Sequence, residues 1–126
     1  MASYEHAATP GKHMICDIKN IQNHELLMDV EGIKDHLNVI CDTYHFTILN
    51  IAQHAFEPQG HTIQYMLSES HISVHTFPER NYLAFDIYTC REYPDNSAYQ
   101  YIYDFLVQAF DATKETPTII DRKFES

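Results

Sequence analysis

The sequence predicts an α+β fold: a two-layer α/β sandwich with a mostly antiparallel sheet and two helices on one face. Three observations carry this. Short β-rich runs follow one another at hairpin spacing between His61 and Cys90. Two longer stretches, one on each side of them, repeat apolar residues at helical steps. The resulting order, β-α-β-β-β-β-α-β, suits strands that fold back on one another with both helices gathered on one side.

Residues 1–11 are small and polar and read as a flexible N-terminal tail, leaving 12–126 as a single domain. Met14, Cys16 and Ile18 alternate with Ile15, Asp17 and Lys19, the period of a strand over about 12–18. Between Leu26 and Thr43, the residues Leu27, Val30, Ile33, Leu37, Ile40 and Cys41 recur at three- and four-residue steps, which predicts an amphipathic helix. Phe46 to Ala52 returns to β-type composition, and Glu57-Pro58-Gln59-Gly60 marks a turn. The runs HTIQYMLS, HISVHTFP and YLAFDIYTC then read as three strands, the last two joined at Asn81, a residue that tolerates positive φ. Ala98 to Phe110 carries a broad apolar face with Asp95, Asn96 or Ser97 placed to cap it, and Thr116 to Ile120 suits a final strand. A two-layer arrangement leaves one sheet face bare, so a homodimer packed through or beside the sheets is expected.

Composition narrows the function. A chain of 126 residues with 44% hydrophobic and 13% aromatic residues supports one core and one domain. The formal charge of −10, with only 8 scattered Lys and Arg, opposes nucleic acid as a partner and favours a cationic ligand. No apolar stretch suits a signal peptide or a membrane span, so a cytoplasmic protein with no membrane partner is expected. Cys16, Cys41 and Cys90 lack both disulfide arithmetic and metal spacing. The question they pose is whether one thiol reacts.

Leu67 to Cys90 concentrates chemistry: a hydroxyl, carboxylates, imidazoles and a thiol within one short segment. No glycine-flanked nucleophile elbow is present, which argues against a hydrolase triad. His71 and His75 share strand parity, yet a metal would need a third ligand, for which His61 is the nearest in sequence; no metal is expected.

The segment resembles the prokaryotic short-chain S-adenosylmethionine decarboxylase proenzymes. The resemblance rests on Ser68-Glu69-Ser70-His71, His75-Thr76-Phe77-Pro78-Glu79 and Thr89-Cys90, which agree in identity, order and spacing. Gly11-Lys12-His13 is similar to that family's opening strand, and Phe56 with Gly60 to its loop before the cleavage point.

The resemblance implies self-cleavage between Glu69 and Ser70 into 1–69 and 70–126. Ser70 Oγ attacks the Glu69 carbonyl, the peptide becomes an ester, and loss of the Ser70 α-proton expels Glu69. Hydrolysis then leaves a pyruvoyl group derived from Ser70, the only cofactor implied, with neither metal nor pyridoxal phosphate. That group forms a Schiff base with the amine of S-adenosylmethionine and accepts electrons as carbon dioxide leaves. His75 is implied as the processing base, Thr62 as processing support in place of the family's serine, and Cys90 as the proton donor. Phe56, Phe77 and Glu79 are implied to bind the adenosine part, by stacking and by hydrogen bonds to ribose. The product is the aminopropyl donor for spermidine and related polyamines, and the expected assembly is a homodimer of cleaved protomers. Pyruvoyl decarboxylation of arginine or ornithine on the same fold, and a non-processing binding or regulatory homologue, are the alternatives.

Two departures from the family stand out, since Ile63 and Arg91 occupy positions where many members carry Gly. A third point is geometric. Five residues separate Ser70 from His75, so a regular strand puts them on opposite faces, and the assignment calls for a bulge, a turn or a neighbouring strand to unite them.

Overall fold

Alternation of apolar and polar residues builds a six-stranded sheet, all of whose pairs are antiparallel, in the order β2-β3-β4-β5-β1-β6. The strands are β1 (Lys12–Ile18), β2 (Ile48–Ala55), β3 (His61–Leu67), β4 (Ser70–Phe77), β5 (Tyr82–Thr89) and β6 (Thr118–Asp121). The computed structural model describes residues 9–125; residues 1–8, most of the expected tail, and residue 126 lie outside the described residues.

One face of the sheet presents Met14, Cys16 and Ile18 of β1, Ile63, Tyr65 and Leu67 of β3, Ile72 and Val74 of β4, and Leu83, Phe85 and Ile87 of β5, all buried. They form one core with Ile33, Leu37 and Ile40 of helix α2 (Val30–Thr43) and with Tyr99, Ile102, Tyr103, Leu106 and Phe110 of helix α3 (Ser97–Phe110). Both long helices therefore lie on the same face, as the apolar periodicity requires. The core also satisfies its polar atoms. Tyr65 Oη donates to Asn38 Oδ1 at 2.8 Å, which ties β3 to α2.

The helix expected from Leu26 to Thr43 is broken. A single turn, α1 (His24–Leu27), precedes α2, and Asp29 starts the latter by accepting a hydrogen bond from Gly32 N at 3.0 Å. The side chain of Asp29 satisfies an N–H that helix geometry leaves without a partner, so α2 begins there. The strand expected over Phe46 to Ala52 runs instead over Ile48–Ala55, and the last strand is Thr118–Asp121 rather than Thr116 to Ile120. β2 is an exposed edge, so its ends are set by pairing with β3 and not by burial. At the start of α3, Asp95 Oδ1 accepts from Ser97 N at 2.9 Å. Asn81 takes the left-handed conformation at φ 49, ending a 3-10 turn over Pro78–Arg80 that joins β4 to β5.

Among the described residues, no helix packs over the opposite face. It presents His13, Ile15 and Asp17 of β1, Thr62, Gln64 and Met66 of β3, His71, Ser73, His75 and Phe77 of β4, and Tyr82, Ala84, Asp86 and Tyr88 of β5. Among them Ile15, Met66 and Phe77 are exposed hydrophobics.

Candidate active site

Glu69 lies in the two-residue turn between β3 and β4, where Leu67 pairs with Ser70. Its φ is 102, a region that strains any residue with a Cβ. Such a conformation costs about 1–3 kcal/mol and persists only where its surroundings impose it. The strain sits on the residue whose carbonyl belongs to the Glu69-Ser70 bond. The Ser70 side chain is half-buried at the first position of β4.

Across the sheet Ser70 pairs with Thr89, and Cys90 follows directly where β5 ends. Adjacent strands stand about 4.8 Å apart, so the backbone of Cys90 follows a residue that flanks the turn. Cys90 Sγ donates to Tyr88 Oη at 3.5 Å, and Tyr88 Oη in turn donates to the Pro10 carbonyl. Cys90 is partly accessible whereas Cys16 and Cys41 are buried. Burial raises the Cys16 thiol to about 12 and the Cys41 thiol to about 11, so both stay protonated and inert near neutral pH.

Gly11 fixes the approach of the chain to this end. At φ 107, a Cβ there would lie 1.9 Å from the Thr89 carbonyl oxygen and 2.7 Å from Cys90 Cα. Only glycine lets β1 begin against the residue that carries the thiol. Arg91, noted in the sequence as a departure, holds the loop after α2: Nη2 donates to the His45 carbonyl at 2.7 Å, Nη1 donates to the Tyr44 carbonyl, and the guanidinium lies 4.4 Å over the Phe46 ring. Ile63, the other departure, is a fully buried core residue.

The remaining predicted residues gather at the far end of β4. Thr62 pairs with His75 across β3 and β4, and Thr62 Oγ1 lies 3.0 Å from His75 Nδ1. Phe56, Gly60, Thr62, His75, Phe77 and Glu79 line one groove of about 290 Å³. Gly60, at φ 100, closes the loop that carries Phe56, with Phe56 N donating to the Gly60 carbonyl at 2.8 Å. The groove lies at the lower limit for a ligand pocket and is open on one side. Phe56 and Phe77 are both exposed.

The two groups do not meet within one chain. β4 pairs without a bulge from Ser70 to Phe77, so neither a bulge nor a turn unites Ser70 with His75, and the neighbouring strand does not either. Five strand residues separate them by about 16 Å, on opposite faces. His71 and His75 do share a face, but the metal arrangement weighed for them does not form: His75 pairs with Thr62, and His71 Nε2 lies 3.0 Å from Asp86 Oδ2 beside His13. His13, Asp86 and Tyr88 were missed as neighbours of that position. Their alternate spacing on β1 and β5 was the available signal, although it does not reveal which strands adjoin.

A helix-backed antiparallel sheet, with its polar chemistry at the strand ends and on the bare face, defines an α+β protein of the two-layer class. A family model described as S-adenosylmethionine decarboxylase matches residues 12–123. A Brevibacillus brevis protein named S-adenosylmethionine decarboxylase proenzyme is 37% identical over 107 residues, covering 85% of this chain and 77% of that one. Its namesake from Thermodesulfovibrio yellowstonii is 33% identical over 115 residues, 90% of this chain and 79% of the relative. The crystal structure of the adenosylmethionine decarboxylase from Aquifex aeolicus shares the fold, with a TM-score of 0.77, 24% identity and 94% of each chain covered. The chain belongs to the S-adenosylmethionine decarboxylase family, a family of enzymes. Among the described residues no helix is long and apolar enough to cross a membrane.

Proposed function

We propose that the chain is a proenzyme that cuts itself between Glu69 and Ser70 and then decarboxylates S-adenosylmethionine, yielding the aminopropyl donor used to make spermidine. The observation that carries this reading is the positive φ of Glu69 in a tight turn immediately before a half-buried serine. Strain of this kind raises the ground state of one peptide bond relative to the ester that replaces it. Ser70 Oγ attacks the Glu69 carbonyl carbon, the C–N bond breaks, and the freed amine stays on Ser70. Removal of the Ser70 α-proton expels the Glu69 carboxylate and leaves a carbon–carbon double bond; water then releases ammonia. The resulting pyruvoyl group supplies an electron-accepting carbonyl for decarboxylation.

His75 is the base for the α-proton, oriented by Thr62 through its Nδ1 contact. Because about 16 Å separates His75 from Ser70 along a regular strand, the histidine that serves each Ser70 comes from a second copy. In a homodimer packed through the bare sheet face with its two β4 strands running in opposite directions, the far end of one β4 would lie over the turn end of the other, where Ser70, the first residue of its strand, would be reached at the rim of the sheet. Exposed Ile15, Met66 and Phe77 on that face favour its burial. Such a dimer also roofs the groove of Phe56, Thr62, His75, Phe77 and Glu79, which is too open to enclose a nucleoside by itself. Phe56 and Phe77 would flank adenine and Glu79 would accept from ribose hydroxyls. Cys90, held beside Ser70 by strand pairing, returns the proton to the decarboxylated carbon. The formal charge of −10 favours a sulfonium substrate.

Mass measurement of the freshly purified chain, followed by carbon dioxide release from S-adenosylmethionine, arginine and ornithine supplied separately, tests the reading. Two fragments and release from S-adenosylmethionine are expected. A chain that stays whole, or release from an amino acid alone, overturns it.

A further inference from the structure

The middle of the bare face holds a constellation that the processing chemistry does not use. His13 on β1 and His71 on β4 flank Tyr88 of β5 in one row of the sheet, since both pair with it. Asp86 stands two residues back along β5 and reaches between them. A single oxygen, Asp86 Oδ2, lies 2.7 Å from His13 Nε2 and 3.0 Å from His71 Nε2. The two imidazole rings are 5.5 Å apart and nearly perpendicular, at 89°. One ring nitrogen of each histidine and a carboxylate oxygen of Asp86 all fall within 4.8 Å of one another.

We propose that His13, His71 and Asp86 form a binding site for a divalent cation of the zinc class. Two imidazole nitrogens and one carboxylate oxygen form a borderline donor set suited to zinc or cobalt, whereas calcium and magnesium call for oxygen ligands throughout. Tetrahedral coordination at about 2.0–2.2 Å separates ligand atoms by about 3.3 Å. The observed nitrogen–oxygen distances reach that spacing with shifts of a few tenths of an ångström. Each histidine then offers an Nε2 lone pair to the cation in place of the hydrogen bond it makes to Asp86.

Preorganisation is already in place. Tyr88 stacks beside both rings, at 6.0 Å from His13 and 5.9 Å from His71, and restricts their swing. The three ligands stand on the three central strands β4, β5 and β1, the most firmly paired part of the sheet. Among the described residues Asp86 pairs with these histidines and with no lysine or arginine, so its charge has no permanent cation. In the single chain the side chains of His13, Asp86 and His71 are 23%, 28% and 47% exposed, so the ion can enter before two copies meet, and a homodimer through this face would enclose the site between them. The site stands on these residues alone and does not depend on cleavage at Ser70.

The test uses the untagged full chain, stripped with a chelator and titrated with cobalt(II) and then with zinc(II) in competition with a chromophoric chelator. One cation per chain is expected, with the visible absorption of four-coordinate cobalt displaced by zinc. His13→Ala, His71→Ala and Asp86→Asn should each weaken binding more than about tenfold, while His24→Ala on the far surface leaves it unchanged. Circular dichroism of the metal-free variants checks folding; should an alanine variant not fold, the near-isosteric Asp86→Asn decides. Absence of stoichiometric binding, binding that survives Asp86→Asn, or equal loss in His24→Ala overturns the proposal.

Discussion

The two ends of β4 differ in kind. At the turn end, Glu69 is held at φ 102, Gly11 presses against Thr89 and Cys90, and the backbone has no freedom to spare. At the far end, Thr62 and His75 meet in regular strand pairing beside an open groove lined by exposed aromatic side chains and Glu79. One end holds a strained turn, and the other sets an imidazole beside a groove. A regular strand keeps them about 16 Å apart. The division teaches that a regular strand can present two chemically distinct ends while its register keeps them from meeting within one chain.

The largest effect expected is at the turn end. Ser70→Ala removes the hydroxyl proposed to attack the Glu69 carbonyl and should abolish cleavage, read as one intact mass in place of fragments 1–69 and 70–126. The next test breaks the division directly. His75→Ala and Ser70→Ala chains should each remain whole alone, yet in a refolded mixture the His75→Ala chain should be cut, because its Ser70 meets the partner's intact histidine. Mass labels on one of the two chains identify which is cleaved, and a mixture that stays whole removes the two-copy arrangement.

Cys90→Ala should spare cleavage and lower turnover by about 10²-fold or more, the range for loss of a general acid. Its reactivity has a companion test. Iodoacetamide at pH 8 should label Cys90 in the folded chain and leave Cys16 and Cys41 unlabelled. Their thiols, raised by burial to about 12 and about 11, are almost wholly protonated below those values, and protection is lost only as the pH climbs toward them or the chain unfolds. Equal labelling of all three in the folded chain would contradict the burial.

Two smaller effects sharpen the account of strain. Gly11→Ala places a Cβ against the Thr89 carbonyl at a positive φ and should destabilise the fold by about 1–3 kcal/mol, measured by urea unfolding. In the Ser70→Ala background, Glu69→Gly should stabilise the uncut chain by up to about 1 kcal/mol, since glycine adopts the turn conformation without penalty. A destabilised Glu69→Gly chain would show that the turn is not strained.

Much of the sheet was legible from residue patterns because burial on one face imposes a period of two. Met14, Cys16 and Ile18 on β1 and Leu83, Phe85 and Ile87 on β5 follow it without interruption. The break at Asp29 was less visible, since the apolar period continues through it and only the side-chain cap stops the helix. Arg91 was hidden for another reason. Its partners, the Tyr44 and His45 carbonyls and the Phe46 ring, lie far away in the chain, and backbone carbonyls carry no residue signature.

The sequence by itself determined the α+β class, the two helical faces, the parity that puts Ser70 and His75 on opposite sides of β4, and, through the Ser-Glu-Ser-His and His-Thr-Phe-Pro-Glu motifs, the family. These are local matters, decided by residue identity and by strand and helix periods. Only the tertiary structure decided that Glu69 is strained, that Cys90 is partly accessible while Cys16 and Cys41 are buried, and that His13, His71 and Asp86 converge. Each of these depends on which strands are neighbours and in what register. Register is set by the packing of the whole core against two helices, so no short stretch of sequence contains it.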